Sequence, residues 1–240
     1  MEKNLFREVY KQVCGLALKD CPPSSLSGLL HGYLSVYSMV RVYPWLEDDY
    51  GSLWDIHDRI REIARVIQEL LKDKDLPVDT RAGYVVDLMD AYLLYSDMKF
   101  LDVALDAAYE ILIPKGSDKI VLPCRTPNIC RLLCNYYFTG EDECALLVKG
   151  LVVEAMGKSS SFTSEEIITW WKALFLCESM VMECEEGVYH ERIRMEVKVV
   201  QWEDEKIEVF RCVAEDFYLI AEIFEILARR EFLVYNENYK

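Results

Sequence analysis

The chain has 240 residues, 52% of them hydrophobic, with only 10 Gly and 7 Pro. That excludes a disordered or fibrous chain and allows one sizeable core or two smaller ones. A formal net charge of −15 and a pI near 4.7 argue against nucleic acid and anionic membrane surfaces, which are bound through basic patches.

The nine cysteines include no CxxC pair, and Glu2, Lys3, Arg7, Glu8 and Lys11 interrupt the start where an apolar leader would lie. We therefore expect a cytoplasmic chain with free, mostly buried thiols. No apolar run approaches the ~20 residues of a membrane span.

In chain order, residues 4–18 form an amphipathic helix that Cys21-Pro22-Pro23 stops. Ser24, Ser25 and Ser27 offer caps for a helix over 26–42 that is apolar nearly all round, and Pro44 ends it. A second amphipathic helix fills 51–72. The stretch 81–113 is the clearest unit: an apolar, inner helix from Arg81, a Ser96-Asp97 turn, and an outer helix with Met98, Leu101, Leu105, Ala108 and Leu112 on one face. Thr126-Pro127 starts a further pair, 127–138 and 141–156. Thr163 with Glu166 is a capping box for a helix over 164–182.

Residues 192–199 alternate Arg, Ile, Arg, Met, Glu, Val, Lys, Val, a period of two. This predicts a β-hairpin over 192–211, with a continuous helix as the alternative because the turn lacks Gly or Asn. The last helix, 213–230, is amphipathic.

Shifting the sequence by 44 residues lays Cys134–Gly157 on Asp90–Ile113, matching Tyr92 with Tyr136, Ala104 with Val148 and Ala108 with Val152. Helical-hairpin repeats of this length build solenoids or closed rings. The expected fold is all-α: a single domain, 1–240, of about four inner–outer hairpins with the small β-hairpin inserted. The hairpin pattern of 81–156, with the phrase FLDVALDAAYEIL as its outer helix, resembles the α/α-toroid group. That is the fold of six-hairpin glycosidases, sugar 2-epimerases, lanthionine synthetase cyclases and terpenoid cyclases. The resemblance implies parallel inner helices with their N-termini at one end.

The chemistry-bearing residues are few. Asp87 and Asp90, three apart on an inner helix, fit a carboxylate pair for sugar chemistry or a buried structural site. His31 on the 26–42 helix fits a general base or a hydrogen-bonded structural residue. Tyr84 and Arg81 open the 81–95 helix, and Arg125, Asn128 and Arg131 occupy matching places around 127. Free N–H groups at such helix starts favour anions or hydroxyls. The 44-residue shift carries Asp87 onto Arg131, and we expect these two charges to pair between inner helices.

Cys130 and Cys134 are spaced i, i+4, but no His lies between 58 and 189, so plain thiols and no metal are expected. The Cys-His zinc set of the toroid cyclases has no match. No P-loop, GxGxxG, HExxH or GxSxG pattern occurs, and no cofactor is expected. The sequence points first to a non-catalytic interaction protein that takes a peptide or protein partner at a concave end. The alternative is a carbohydrate-active or sugar-binding protein of toroid type.

Overall fold

A computed structural model describes residues 2–137, 143–181, 186–212 and 217–238. Among the described residues all regular structure is helical: α1 (Glu2–Cys14), α2 (Leu26–Val42), α3 (Glu47–Tyr50), α4 (Leu53–Leu70), α5 (Val78–Tyr95), α6 (Met98–Leu112), α7 (Pro127–Tyr137), α8 (Glu143–Met156), α9 (Ser164–Val181), α10 (Glu186–Cys212) and α11 (Phe217–Asn238), with four short 3-10 turns. No described helix is long and apolar enough to cross a membrane. The chain divides into two compact units, Met1–Ile67 with Glu205–Lys240, and Gln68–Asp204.

In the first unit the 26–42 helix does not find its main partner in the next helix along the sequence. α2 packs chiefly on α11, and α11 also packs on α1. The approach is close because α2 presents two glycines one turn apart. A Cβ at Gly28 would stand 3.2 Å from the Ala221 carbonyl oxygen, and one at Gly32 only 2.5 Å from the Phe224 ring. Phe224 sits in an aromatic core with Phe6, Tyr10, Tyr33 and Tyr50, with Tyr33 and Phe224 centroids 5.0 Å apart and edge-on. The Tyr10 hydroxyl donates to the Tyr50 carbonyl at 2.6 Å. Burial pushes the phenols of Tyr10, Tyr33 and Tyr50 well above their usual range.

In the second unit helices α5 to α9 pack on helices one or two places along the chain. α5 packs on α6 and α7, α7 on α8 and α9, and α8 on α9. The α5–α6 turn is the expected one: Ser96 takes the left-handed conformation at φ 52°, and the Asp97 side chain accepts from the Lys99 N–H. The capping box before α9 is reciprocal, Thr163 N–H to Glu166 at 2.8 Å and Glu166 N–H to the Thr163 hydroxyl at 3.2 Å. Trp170 is buried and stacks on Phe162, while Trp171 is half-buried.

Burial repeats with the sequence shift. Phe100, Ala104, Ala107, Ala108 and Ile111 on α6 are all buried, and so are Cys144, Val148, Leu151, Val152 and Ala155, each 44 residues on. On the inner side Val85, Val86, Leu88 and Met89 match Ile129, Cys130, Leu132 and Leu133, again all buried.

The β-hairpin expected over 192–211 is absent. The segment is helical throughout and belongs to α10. Its alternation also contains a helical stripe: Met195, Val199, Glu203, Ile207 and Phe210 recur at intervals of four or three and are 2–5% exposed. Glu203-Asp204-Glu205 lacks the Gly or Asn that most readily takes the positive φ of a tight hairpin turn, and the segment continues as helix.

Candidate functional site

Arg81, Arg125 and Asn128, expected to bind a ligand at the helix starts, each bond an acidic residue of the chain instead. Asn128, in the first turn of α7, donates its side-chain amide to Asp79 at the start of α5, to the carboxylate at 3.1 Å and the backbone carbonyl at 3.3 Å. Gly83 keeps the space between them open, since a Cβ there would meet the Asn128 amide at 3.4 Å. The starts of α5 and α7 therefore lie side by side.

Arg81 is buried, and its guanidinium donates to Glu110 on α6 at 3.1 Å. Lys74 donates to the same carboxylate at 2.6 Å. One repeat length on, Arg125 donates to Glu154 on α8, and Lys158 donates to that carboxylate at 2.8 Å. Positions 81 and 125 differ by 44, as do 110 and 154. The start of α5 and the segment leading into α7 are thus tied to the helix that follows, α6 and α8, in each case by one Glu holding one Arg and one Lys. The paired cations hold both carboxyls below the usual range, through Lys74 and then Arg81 at Glu110, and through Lys158 and then Arg125 at Glu154.

The other expected residues behave differently. Asp87 is 0% exposed, so no substrate sugar reaches its carboxylate, while Asp90 is half-buried. Tyr84 is buried, and its hydroxyl is pushed up by burial and by Asp87. Arg131 is half-buried, and its Nε is sealed from water with no hydrogen-bond partner among the described residues. The expected Asp87–Arg131 bridge is therefore not made through that nitrogen. His31 faces a carboxylate that sequence spacing could not reveal, with its Nδ1 3.8 Å from Glu225 on α11.

Two features went unread in the sequence. The first is a sulfur cluster. Cys177 on α9 brings its Sγ to 3.1 Å from that of Cys134 and 3.6 Å from that of Cys130. All three are buried. The i, i+4 pair was visible, but its third member lies 43 residues beyond Cys134 on the next inner helix. Donation from Cys130 and Cys134 pulls the Cys177 thiol down to about 5, against the opposing effect of burial, while the Cys130 and Cys134 thiols are pushed up. Negative charge is therefore held most easily on the Cys177 sulfur.

The second is an apolar stripe on α10. Ile193, Val197 and Val200 are 43–56% exposed, one helical face apart from the buried stripe. With Glu196 and Gln201 they line an open depression of about 290 Å³.

No protein-family model matches the chain, and neither does any curated protein or solved structure.

Proposed function

We propose that the chain is a non-catalytic helical-repeat protein whose second unit is a solenoid-like array, and that it docks a basic amphipathic helix of a partner protein. The observation that carries the reading is the pair of ion clusters, Lys74–Glu110–Arg81 and Arg125–Glu154–Lys158, 44 residues apart in both their Arg and their Glu. Two hairpins with the same buried positions and the same charged tie are two copies of one module. In such arrays each repeat contacts its neighbours and the stack offers an extended binding surface. The reducing compartment expected from the cysteines belongs to the same reading.

Because Arg81, Arg125 and Asn128 are committed to bonds within the array, the helix starts have little left to offer a ligand. The surface that fits a partner is the outer stripe of α10. Ile193, Val197 and Val200 follow i, i+4, i+7 spacing, the pattern by which one helix receives another. Glu196 borders the stripe, exposed Asp204 extends it, and the chain carries a net charge of −15, so the complementary helix is basic.

Fluorescence anisotropy with a labelled Lys/Leu amphipathic helical peptide tests this on the full chain, against the same composition scrambled. We expect saturable binding of the ordered peptide, weakened about tenfold by Val197→Lys and weakened further by added salt. Equal binding of both peptides, or an unaffected Val197→Lys, would remove α10 as the docking face.

A further inference from the structure

We infer that Cys130, Cys134 and Cys177 form a binding site for a thiophilic d10 metal ion, Zn²⁺ or Cu⁺. The three Sγ atoms all lie within 4.8 Å of one another, and among the described residues no His, Asp or Glu joins the group. Two of them come from consecutive turns of α7, where i, i+4 spacing puts side chains on one face. The third comes from α9, which packs directly on α7. The sulfurs are thus set by two rigid helices, not by loops.

The distances fit one shared ion. Metal–sulfur bonds of about 2.3 Å place neighbouring ligand sulfurs about 3.8–4.0 Å apart in tetrahedral or trigonal geometry. The sulfurs here already stand 3.1 and 3.6 Å from Cys177, so small rotamer adjustments open the triangle to that size. An all-sulfur donor set selects soft ions and disfavours Mg²⁺ or Ca²⁺, which take oxygen ligands.

Cys144 on α8 is buried but lies outside this group of mutually close sulfurs, so a water completes tetrahedral Zn²⁺ at the three-sulfur site. Three sulfurs alone suit trigonal Cu⁺. Binding forms three metal–sulfur bonds and releases to solvent one proton from each thiol still protonated, so no oxidant or reductant takes part. An ion there ties α7 to α9 across the hairpin boundary.

The full chain, purified under anaerobic conditions without chelators, is assayed for bound metals by elemental mass spectrometry, and the metal-stripped chain is titrated with Co²⁺ and, separately, with Cu⁺. We expect about one equivalent of Zn or Cu per chain, and saturation at one equivalent in the matching titration. With Co²⁺, a thiolate-to-cobalt charge-transfer band and the intense visible bands of tetrahedral cobalt mark the zinc-type site. Saturation by Cu⁺ alone marks the trigonal one. Metal addition raises the thermal midpoint of the wild type. Cys177→Ala abolishes both the stoichiometric metal and the midpoint shift, whereas Cys144→Ala, outside the cluster, leaves both in place. The wild-type titration stands even if a cysteine variant fails to fold. Metal-free protein that takes up neither ion, or a chain 2 Da light because Cys134 and Cys177 have joined as a disulfide, overturns the inference.

Discussion

In the first compact unit the helices in closest contact come from opposite ends of the chain: α2 meets α11, some 190 residues later, through Gly28 and Gly32 on one side and Ala221 and Phe224 on the other. In the second unit α5 meets α6 and α7, and α7 meets α8 and α9, one or two places along the chain, and small residues and charged ties recur at one spacing. One unit is held by a single crowded aromatic contact, the other by the same modest contacts made twice. Damage to the first should therefore be concentrated at a few positions, and damage to the second spread thinly over many.

The largest effect expected is from Phe224→Ala. Phe224 is fully buried and touches the rings of Phe6, Tyr10 and Tyr33. Removing it leaves a cavity that surrounding aromatics cannot fill, at a cost of about 3–5 kcal/mol. Urea unfolding measures the loss, and amide exchange should localise it to α2 and α11. A cost below about 1 kcal/mol would mean the aromatic core is not what holds this unit.

Gly32→Ala attacks the same contact from the other helix. Its new Cβ would lie 2.5 Å from two carbons of the Phe224 ring, which has no exposed edge to swing toward. Overpacking of this kind costs about 1–3 kcal/mol. Pairing it with Phe224→Leu, which shortens the opposing side chain, should recover part of that loss, giving a favourable coupling in a double-mutant cycle. Additive losses would show that the glycine serves some purpose other than close approach.

What the sequence disclosed follows the same division. Signals that act over a few residues were readable: the Ser96-Asp97 turn, the Thr163–Glu166 capping box, and the 44-residue agreement between α5–α6 and α7–α8. The pairing of α2 with α11 had no local signal, because Gly28 and Gly32 read as ordinary glycines until Phe224 is placed against them. The third sulfur, Cys177, was hidden in the same way. Alternation at 192–199 misled because a short period-two run carries a helical stripe inside it, Met195 with Val199 and Ile193 with Val197. Nothing local in the sequence marks Glu110 on α6. Its role appears only when Arg81 and Lys74 are brought to it.

That role gives the smallest effect and the sharpest contrast between the two copies of the charged tie. Glu110 is about half exposed, but the Arg81 side chain bonded to it is only 10% exposed. In the second copy the carboxylate is no wetter, Glu154 at 36%, but its arginine is far wetter, Arg125 at 64%. Glu110→Gln strands a largely buried guanidinium, whereas Glu154→Gln leaves Arg125 hydrated, so the first substitution should be the more damaging. Solvent screening holds its cost to about 1 kcal/mol or less. The pH dependence identifies the cause. Lys74 and Arg81 keep the Glu110 carboxyl below its ordinary value, so the folded chain binds this proton less readily than the unfolded one. The contribution is therefore present in full above the unfolded value of about 4.3, and is lost as pH falls through the lower folded value. Urea unfolding of wild type and Glu110→Gln at low salt should differ at pH 7 and converge as the pH drops below that window, and the pH 7 gap should narrow at high ionic strength. A gap that holds unchanged through acid would mean that Glu110 acts by packing over Arg81, with its charge irrelevant.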